Sequence, residues 1–385
     1  MRKKVARVIV DVLQDAGVRN CYGIVGDTLN RFATELRGSG IEFVHMRHEE
    51  TGAFAAQGEA LLNDRLTAVA GSCGPGSLHF INGLYEANRN RAPVVLVASQ
   101  VVRSELGFDF IQEVDFGQVY RECSVYCDMI VTPEQARRKT VMACQAAIAK
   151  RGVAVLVVPV DIFEAEAADE LPFAVHANPY VTRPVDADLD RIAALLADGG
   201  RVTIYGGIGC RDAHDEVVAL AERLKAPVAH TSRAKDCLEH DNPHDVGMTG
   251  VIGDAAGYRA ILDCDTLLLL GTGFAWAQFY PKKATIIQVD NDAGRIGLRH
   301  PVSLGVAGDI KDTLAALLPR IAARGDTAHR DRHVDTHRKA MAAQAQRSKP
   351  DRKGRIPGQY LAGSSTRRRT RTRCSPATTA RPWSG

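Results

Sequence analysis

The stretch Arg47-His48-Glu49-Glu50-Thr51-Gly52-Ala53-Phe54-Ala55-Ala56 follows the strand-like run Ile41–His45 and opens a helix of small residues that continues through Ala60. Carboxylates are favoured in the first turn of a helix because they complement its dipole, and on pattern alone that explains Glu49 and Glu50. A second explanation is a carboxylate held in an apolar slot against a ligand. The surrounding chain decides between them.

Strands and helices alternate on both sides of this stretch. Val5, Val8, Ile9, Val12 and Leu13 fall at helical spacing over residues 4–17. Cys21–Val25 reads as a buried strand, and Gly26-Asp27 turns the chain, with Asp27 expected to cap a helix through Leu36. The strand Leu66–Ala70 ends in Gly71-Ser72-Cys73-Gly74-Pro75-Gly76; a helix over Leu78–Asn88 and the strand Pro93–Ala98 follow. Residues 101–117 read as an irregular loop, 133–150 as a helix and Val153–Val160 as a strand. Such alternation predicts a parallel sheet covered on both faces, with ligands beyond the carboxyl ends of its strands. Gly26, Glu49 and Gly74 all fall at those ends.

A segment with three prolines and several acids, 163–185, reads as a linker. A second α/β unit then begins near Asp186. Its strand Val202–Tyr205 runs into Gly206-Gly207-Ile208-Gly209, a turn that can bring phosphate close to backbone donors. Gly247-Met248-Thr249-Gly250, the strand Thr266–Leu270 with Gly271-Thr272-Gly273-Phe274 after it, and the strand Ile286–Val289 ending at Asp290 extend the pattern. An acid at a strand end suits a ribose hydroxyl. The fold class is therefore α/β with two doubly wound parallel-sheet domains, 1–162 and 186–327. Residues 328–363 read as a connector, a solvated helix despite His329, His333 and His337.

Composition limits the alternatives. The 385 residues suffice for at least two cores, and no apolar run is long enough to span a membrane. Met1-Arg2-Lys3-Lys4 is basic, but Asp11, Gln14 and Asp15 interrupt the helix behind it, against a signal peptide. Nine scattered cysteines suit reduced thiols in a cytoplasmic protein. The net charge of +4 resides in residues 364–385, which hold six arginines and no acid, so the remainder sums to −2. Nothing in that remainder suggests a nucleic-acid surface.

At Gly23-Ile24-Val25-Gly26-Asp27, Arg47-His48-Glu49-Glu50, Gly74-Pro75-Gly76, Phe110–Glu113 and Gly247–Gly250 the chain resembles the thiamine diphosphate enzymes that include acetolactate synthase and pyruvate oxidase. Ser72–His79, Tyr120–Ser124 and Asp241–Gly247 resemble, more narrowly, the quinone-reducing pyruvate dehydrogenases. The resemblance implies a pyrimidine-binding domain followed by a Rossmann-like central FAD domain, and it fades near residue 362. It gives Glu49 a role: hydrogen bonding the aminopyrimidine ring nitrogen and favouring the imino tautomer. That chemistry needs a carboxyl group that shares a proton while largely desolvated. Glu50 points about 100° away around the helix and reads as structural. Thr249, Gly250, Thr272, Gly273, Phe274 and Asp290 match the positions that would hold FAD. Ile111 departs from the family, whose members often carry phenylalanine there; the adjoining Phe110 is its candidate substitute.

The resemblance further implies pyruvate or a similar 2-oxo acid as substrate, a quinone as acceptor, a homo-oligomer (dimer or tetramer) and at most peripheral membrane contact. It implies Mg2+ as well, held with the diphosphate by a third domain whose Gly-Asp-Gly motif neither Gly253-Asp254 nor Gly308-Asp309 supplies; no metal ligand is assigned to this chain. Residues 364–385 read as a disordered basic tail. Back-translated with GC-rich codons and read one frame over, they give an acidic helix and then a strand, like the opening of that third domain. The expectation is a frameshifted end and a chain inactive alone. Acetolactate synthase-like chemistry and a non-catalytic flavin-binding subunit are the alternatives.

Overall fold

The computed structural model describes residues 3–167, 171–176, 181–253, 255–347, 353–358 and 360–361. The basic tail at 364–385, with its frameshift and disorder, lies outside the described residues, as does Asp254. The chain divides into two units, Met1–Pro179 and Tyr180–Gly385.

The first unit is a six-stranded parallel sheet: β1 (Asn20–Gly23), β2 (Glu42–His45), β3 (Thr67–Gly71), β4 (Val94–Gln100), β5 (Tyr126–Met129) and β6 (Val153–Pro159), in the order β2-β1-β3-β4-β6-β5. β3, β4 and β6 are buried along their whole length, as strands covered on both faces must be. The helices Val5–Asp15, Asn30–Arg37 and Ala136–Lys150 cover one face; Glu49–Asn63 and Ile81–Arg89 cover the other. The order reverses between β1 and β3, so the crevice for a ligand opens beyond Gly23 and Gly71.

One local expectation is corrected. Asp27 does not cap a helix: its carboxylate accepts from the next amide, Thr28 N, at 2.8 Å, and the helix starts at Asn30. The irregular loop expected from residue 101 runs to Asp115, with a tight turn at Arg103–Glu105. Asp115 caps a short helix, Phe116–Val119, and the edge strand β5 follows, whose four half-buried residues lack an apolar run. Gly74 lies at φ +62°, a conformation that favours glycine, and turns the chain into the short helix Pro75–Leu78.

The second unit repeats the plan with β7 (Val202–Gly206), β8 (Val228–His230), β9 (Asp245–Met248), β10 (Thr266–Leu270), β11 (Thr285–Asp290) and β12 (Leu304–Ala307). All pair in parallel, in the order β12-β11-β10-β7-β8-β9. The order reverses between β7 and β10, between the Gly206-Gly207 turn and the Gly271–Gly273 turn. β8, β9 and β12, of three or four residues each, are strands that the sequence pattern does not mark.

The histidine-rich segment departs furthest from expectation. Ala328–Arg347 is a 20-residue helix that packs on β9 and on the helix Ala255–Leu262 of the same unit. His329 and His333 are buried, 8% and 2% exposed, so this helix is docked and not solvated all round. The described cysteines form no disulfide. No described helix is long and apolar enough to cross a membrane.

Candidate active site and nucleotide-binding edge

Glu49 begins the helix Glu49–Asn63 and is only 7% exposed. The residue before it caps that helix: His48 Nδ1 accepts from Glu50 N at 3.3 Å. The His48 ring stacks on His79 with centroids 4.9 Å apart and planes 13° apart. His79 Nδ1 stands 3.1 Å from Glu49 Oε2. An ionised carboxylate only accepts, so His79 donates this bond. The pairing fixes one oxygen and leaves Oε1 facing Gly76, where an added Cβ would lie 3.8 Å away.

The walls around Glu49 come from the turns after β1 and β3. A Cβ on Gly26 would meet the Ser72 side chain at 2.6 Å, and one on Gly74 would meet Gln112 Cβ at 2.7 Å. These turns approach so closely that only glycine fits. Thr28 Oγ1 accepts from Cys73 N at 3.0 Å, tying the two turns together. The loop holding Phe110, Ile111 and Gln112 follows: Glu113 accepts from Gly107 N and Phe110 N, and Cys73 Sγ reaches Gln112 Oε1 at 3.4 Å. Ile111 is 80% exposed and Phe110 46%. Glu50 is turned away from the slot and accepts from Asn82 Nδ2 at 2.8 Å.

The structure thus brings Gly26, Glu49 and Gly74 to one carboxyl edge. The slot is less apolar than expected, since a histidine pair forms part of it. Sequence reading missed His79 as a partner of Glu49. Thirty positions separate them, and only the Pro75–Leu78 turn carries the histidine back to the helix start.

In the second unit, the residues singled out at strand ends line the carboxyl edge. Gly207 and Gly209 lie so close to Gly271 and Thr272 that a Cβ on Gly209 would meet Gly271 Cα at 2.7 Å. Phe274 is buried against Tyr205, edge to face at 4.7 Å, and accepts from Tyr280 through its carbonyl. Thr249 N donates to His230 O at 3.0 Å, while Thr249 Oγ1 is buried with no hydrogen-bond partner. Gly250 lies at φ +138°, and a Cβ there would stand 3.7 Å from Trp276 and 3.9 Å from Phe274. Nothing lies within 4 Å of where a Cβ on Gly273 would stand. Asp290 is buried at the end of β11, where its carboxylate accepts from Asp292 N at 3.0 Å. Gln288 Nε2 reaches Thr272 O and Arg295 O, holding the following turn against the β10 turn.

Thr249 follows β9 and Asp290 ends β11, strands four positions apart, roughly 19 Å at about 4.8 Å per strand. An orphaned buried hydroxyl at one end, glycine turns in the middle and a buried acid at the other fit an elongated ligand such as a dinucleotide. Among the described residues, no group of three or more His, Cys, Asp or Glu could hold a metal ion.

Comparisons with known proteins agree with this division. Residues 3–119 match the family described as thiamine pyrophosphate enzyme, N-terminal TPP binding domain, and residues 189–317 match thiamine pyrophosphate enzyme, central domain. An uncharacterized 42.6 kDa protein of Pseudomonas amyloderamosa is 46% identical over 340 residues, covering 88% of this chain and 86% of that one. Pyruvate oxidase of Lactiplantibacillus plantarum is 30% identical over 328 residues, 83% of this chain and 54% of the relative. Sulfoacetaldehyde acetyltransferase of Rhodobacter capsulatus is 29% identical over 358 residues, 89% and 60%. The chain thus spans little more than half the length of the two relatives of named activity.

Proposed function

Because this chain belongs to the thiamine pyrophosphate enzyme family, we propose that it carries the pyrimidine-binding and flavin-binding parts of a pyruvate:quinone oxidoreductase that decarboxylates pyruvate to acetate and carbon dioxide. Residues 1–162 form the first part, 163–185 the linker, 186–327 the second and 328–363 the connection onward. The observation that carries this reading is the buried Glu49 carboxylate, held by His79 among the glycines of two turns. Similarity to a pyruvate oxidase supports pyruvate as substrate. The quinone rests on the resemblance of Ser72–His79, Tyr120–Ser124 and Asp241–Gly247 alone.

When bound, thiamine diphosphate supplies a thiazolium that accepts the electrons released on decarboxylation. This chain's residues do the rest. Glu49 Oε1 holds and returns a proton at the pyrimidine ring nitrogen, with Oε2 kept in place by His79. The glycines at 26, 74 and 76 keep the slot free of side chains. Gln112 and Phe110 face the substrate. Thr249, Gly250, Thr272, Gly273, Phe274 and Asp290 hold FAD: Thr249 Oγ1 gains the partner it lacks, and Asp290 takes a ribose hydroxyl. Mg2+ and the diphosphate are assigned to no residue here. A homo-oligomer is part of the proposal, as two subunits would share each active site.

The test is pyruvate turnover by this chain assembled with a diphosphate-binding domain of the family, with thiamine diphosphate, Mg2+, FAD and a quinone. Glu49→Gln lowers turnover by roughly 10²–10⁴-fold, since an amide cannot cycle the proton. Glu50→Gln is mild. Near-normal turnover in Glu49→Gln rejects the assignment.

A further inference from the structure

The helix Ala328–Arg347 meets its unit through imidazoles where most helices would use leucine. Apart from alanines it has only Val334 and Met341 as apolar residues. Its buried face instead carries His329, His333 and His337, spaced i, i+4, i+8. Thr203 Oγ1 gives its only proton to Ala260 O at 2.7 Å. It can therefore only accept from His329 Nε2, 2.9 Å away. His329 is thus the Nε2–H tautomer, and its Nδ1 is buried without a partner. A second proton there would bury an unsatisfied charged N–H. His333 stands edge-on to His329 at 4.8 Å, with Nε2 turned to the Arg332 guanidinium at 3.4 Å. Arg332 and His333 share Asp263, at 3.3 and 3.6 Å. At the head of the helix, Arg330 and the buried His244 of the loop before β9 compete for Glu222, each at 3.4 Å.

We propose that this helix is a proton-released strap, docked on the second unit while His329, His333 and the facing His244 are neutral and let go when these three are protonated. Burial first, then His333, Arg332 and Arg201, hold the His329 imidazole down at about 4, with Asp263 opposing. Burial likewise lowers His333, helped by Arg332, Arg259 and Arg201 against Asp263. It lowers His244 too, with Arg330 and Lys225 acting against Glu222 and Asp331. A released imidazole titrates near its ordinary 6.5. Between about 6.5 and 4 the released helix binds more protons than the docked one, so docking is complete above 6.5 and lost as pH falls. Each histidine shifts the equilibrium by up to about tenfold per pH unit. One group works the other way. His337 faces Asp245, at 3.4 Å, which also faces His230, and burial raises the Asp245 carboxyl. Its proton uptake favours the docked state, a single opposing site against three.

The test is hydrogen exchange of the whole chain at pH 7.5, 6.0 and 5.0, corrected for intrinsic rates, comparing amides of 328–347 with those of the helix His214–Leu224. Protection of 328–347 is expected to fall at least tenfold by pH 5.0 while the reference helix holds. Flat protection overturns the proposal, as does loss in both helices together. His329→Gln keeps the N–H toward Thr203 without titrating, and His333→Leu fills its volume. Each alone should flatten the profile in part, and both together in large part. An unchanged profile in whichever variants fold also overturns it, and should none fold, the exchange profile of the unaltered chain decides.

Discussion

Glu49 and Glu59 lie on one helix, both buried, and the contrast between them locates function at single residues. Glu59 is fully occupied: Tyr22 OH and Asn20 Nδ2 donate to it at 2.8 and 3.0 Å, and Arg65 pairs with it. Burial opposes its charge, but the hydrogen bonds from Arg65, Asn20 and Tyr22 win and hold the carboxyl below its ordinary value. Its stabilisation is therefore full above about 4.5 and lost as pH falls through the lowered value. Glu59→Gln should cost about 1–3 kcal/mol at pH 7. The gap from the unaltered chain should close toward pH 3, as read from urea unfolding at both values. Glu49 has only His79, and its other oxygen, Oε1, faces Gly76. His79→Ala should lower turnover of the assembled enzyme by about tenfold or more while the chain still folds, because the ring is half exposed. His79→Asn places an amide nitrogen near Nδ1 and should recover most of that loss. Equal turnover in His79→Ala and the unaltered chain would remove His79 from the site.

Among the elements, the helix Glu49–Asn63 decides whether the site exists, and its small residues set its position. It crosses the helix Ile81–Arg89 at Gly83, where a Cβ would press on Ala53 and stand 3.0 Å from Glu50 O. Gly83→Ala should destabilise the first unit by about 1–3 kcal/mol through overpacking, shifting the urea midpoint. Gly58, on the same helix, has nothing within 4 Å. Gly58→Ala should stabilise by up to about 1 kcal/mol, since alanine loses less backbone freedom in a helix. A Gly83→Ala chain as stable as the unaltered one would show that the crossing can open without cost. The run Gly52-Ala53-Phe54-Ala55-Ala56 is thus legible as close packing, although its partner glycine is 30 residues away.

At the scale of the molecule, the second unit's edge is spread over five strands, so each strand end contributes a fraction of any binding energy. Asp290→Ala should weaken FAD binding to the whole chain by about tenfold, or 1.4 kcal/mol, leaving the fold intact, as measured by flavin fluorescence titration. Equal affinity, or no binding to either form, would sink the proposed edge. The docked helix Ala328–Arg347 belongs to this unit's packing, so a segment ending at 327, the boundary expected from the sequence, would cut away His333 and Val334 from its core.

The amino-acid sequence by itself determined the repeating strand–helix order, the parallel sheets and the placing of Gly26, Glu49, Gly74, Thr272 and Asp290 at strand ends. It could, because long apolar strands such as Val94–Gln100 and Thr266–Leu270, followed by glycine turns, are local signals. The short strands β5, β8, β9 and β12 were decided by tertiary structure, since nothing in their own residues marks them and their parallel neighbours hold them in the sheets. So were the pairing of His79 with Glu49, the close approach of Gly26 to Ser72, and the burial of His329 and His333. Each joins residues far apart in the chain, and the polar side chains involved read as solvated until the fold supplies partners. A histidine carries no period that separates a buried docking face from a wet one; only the surface it meets does.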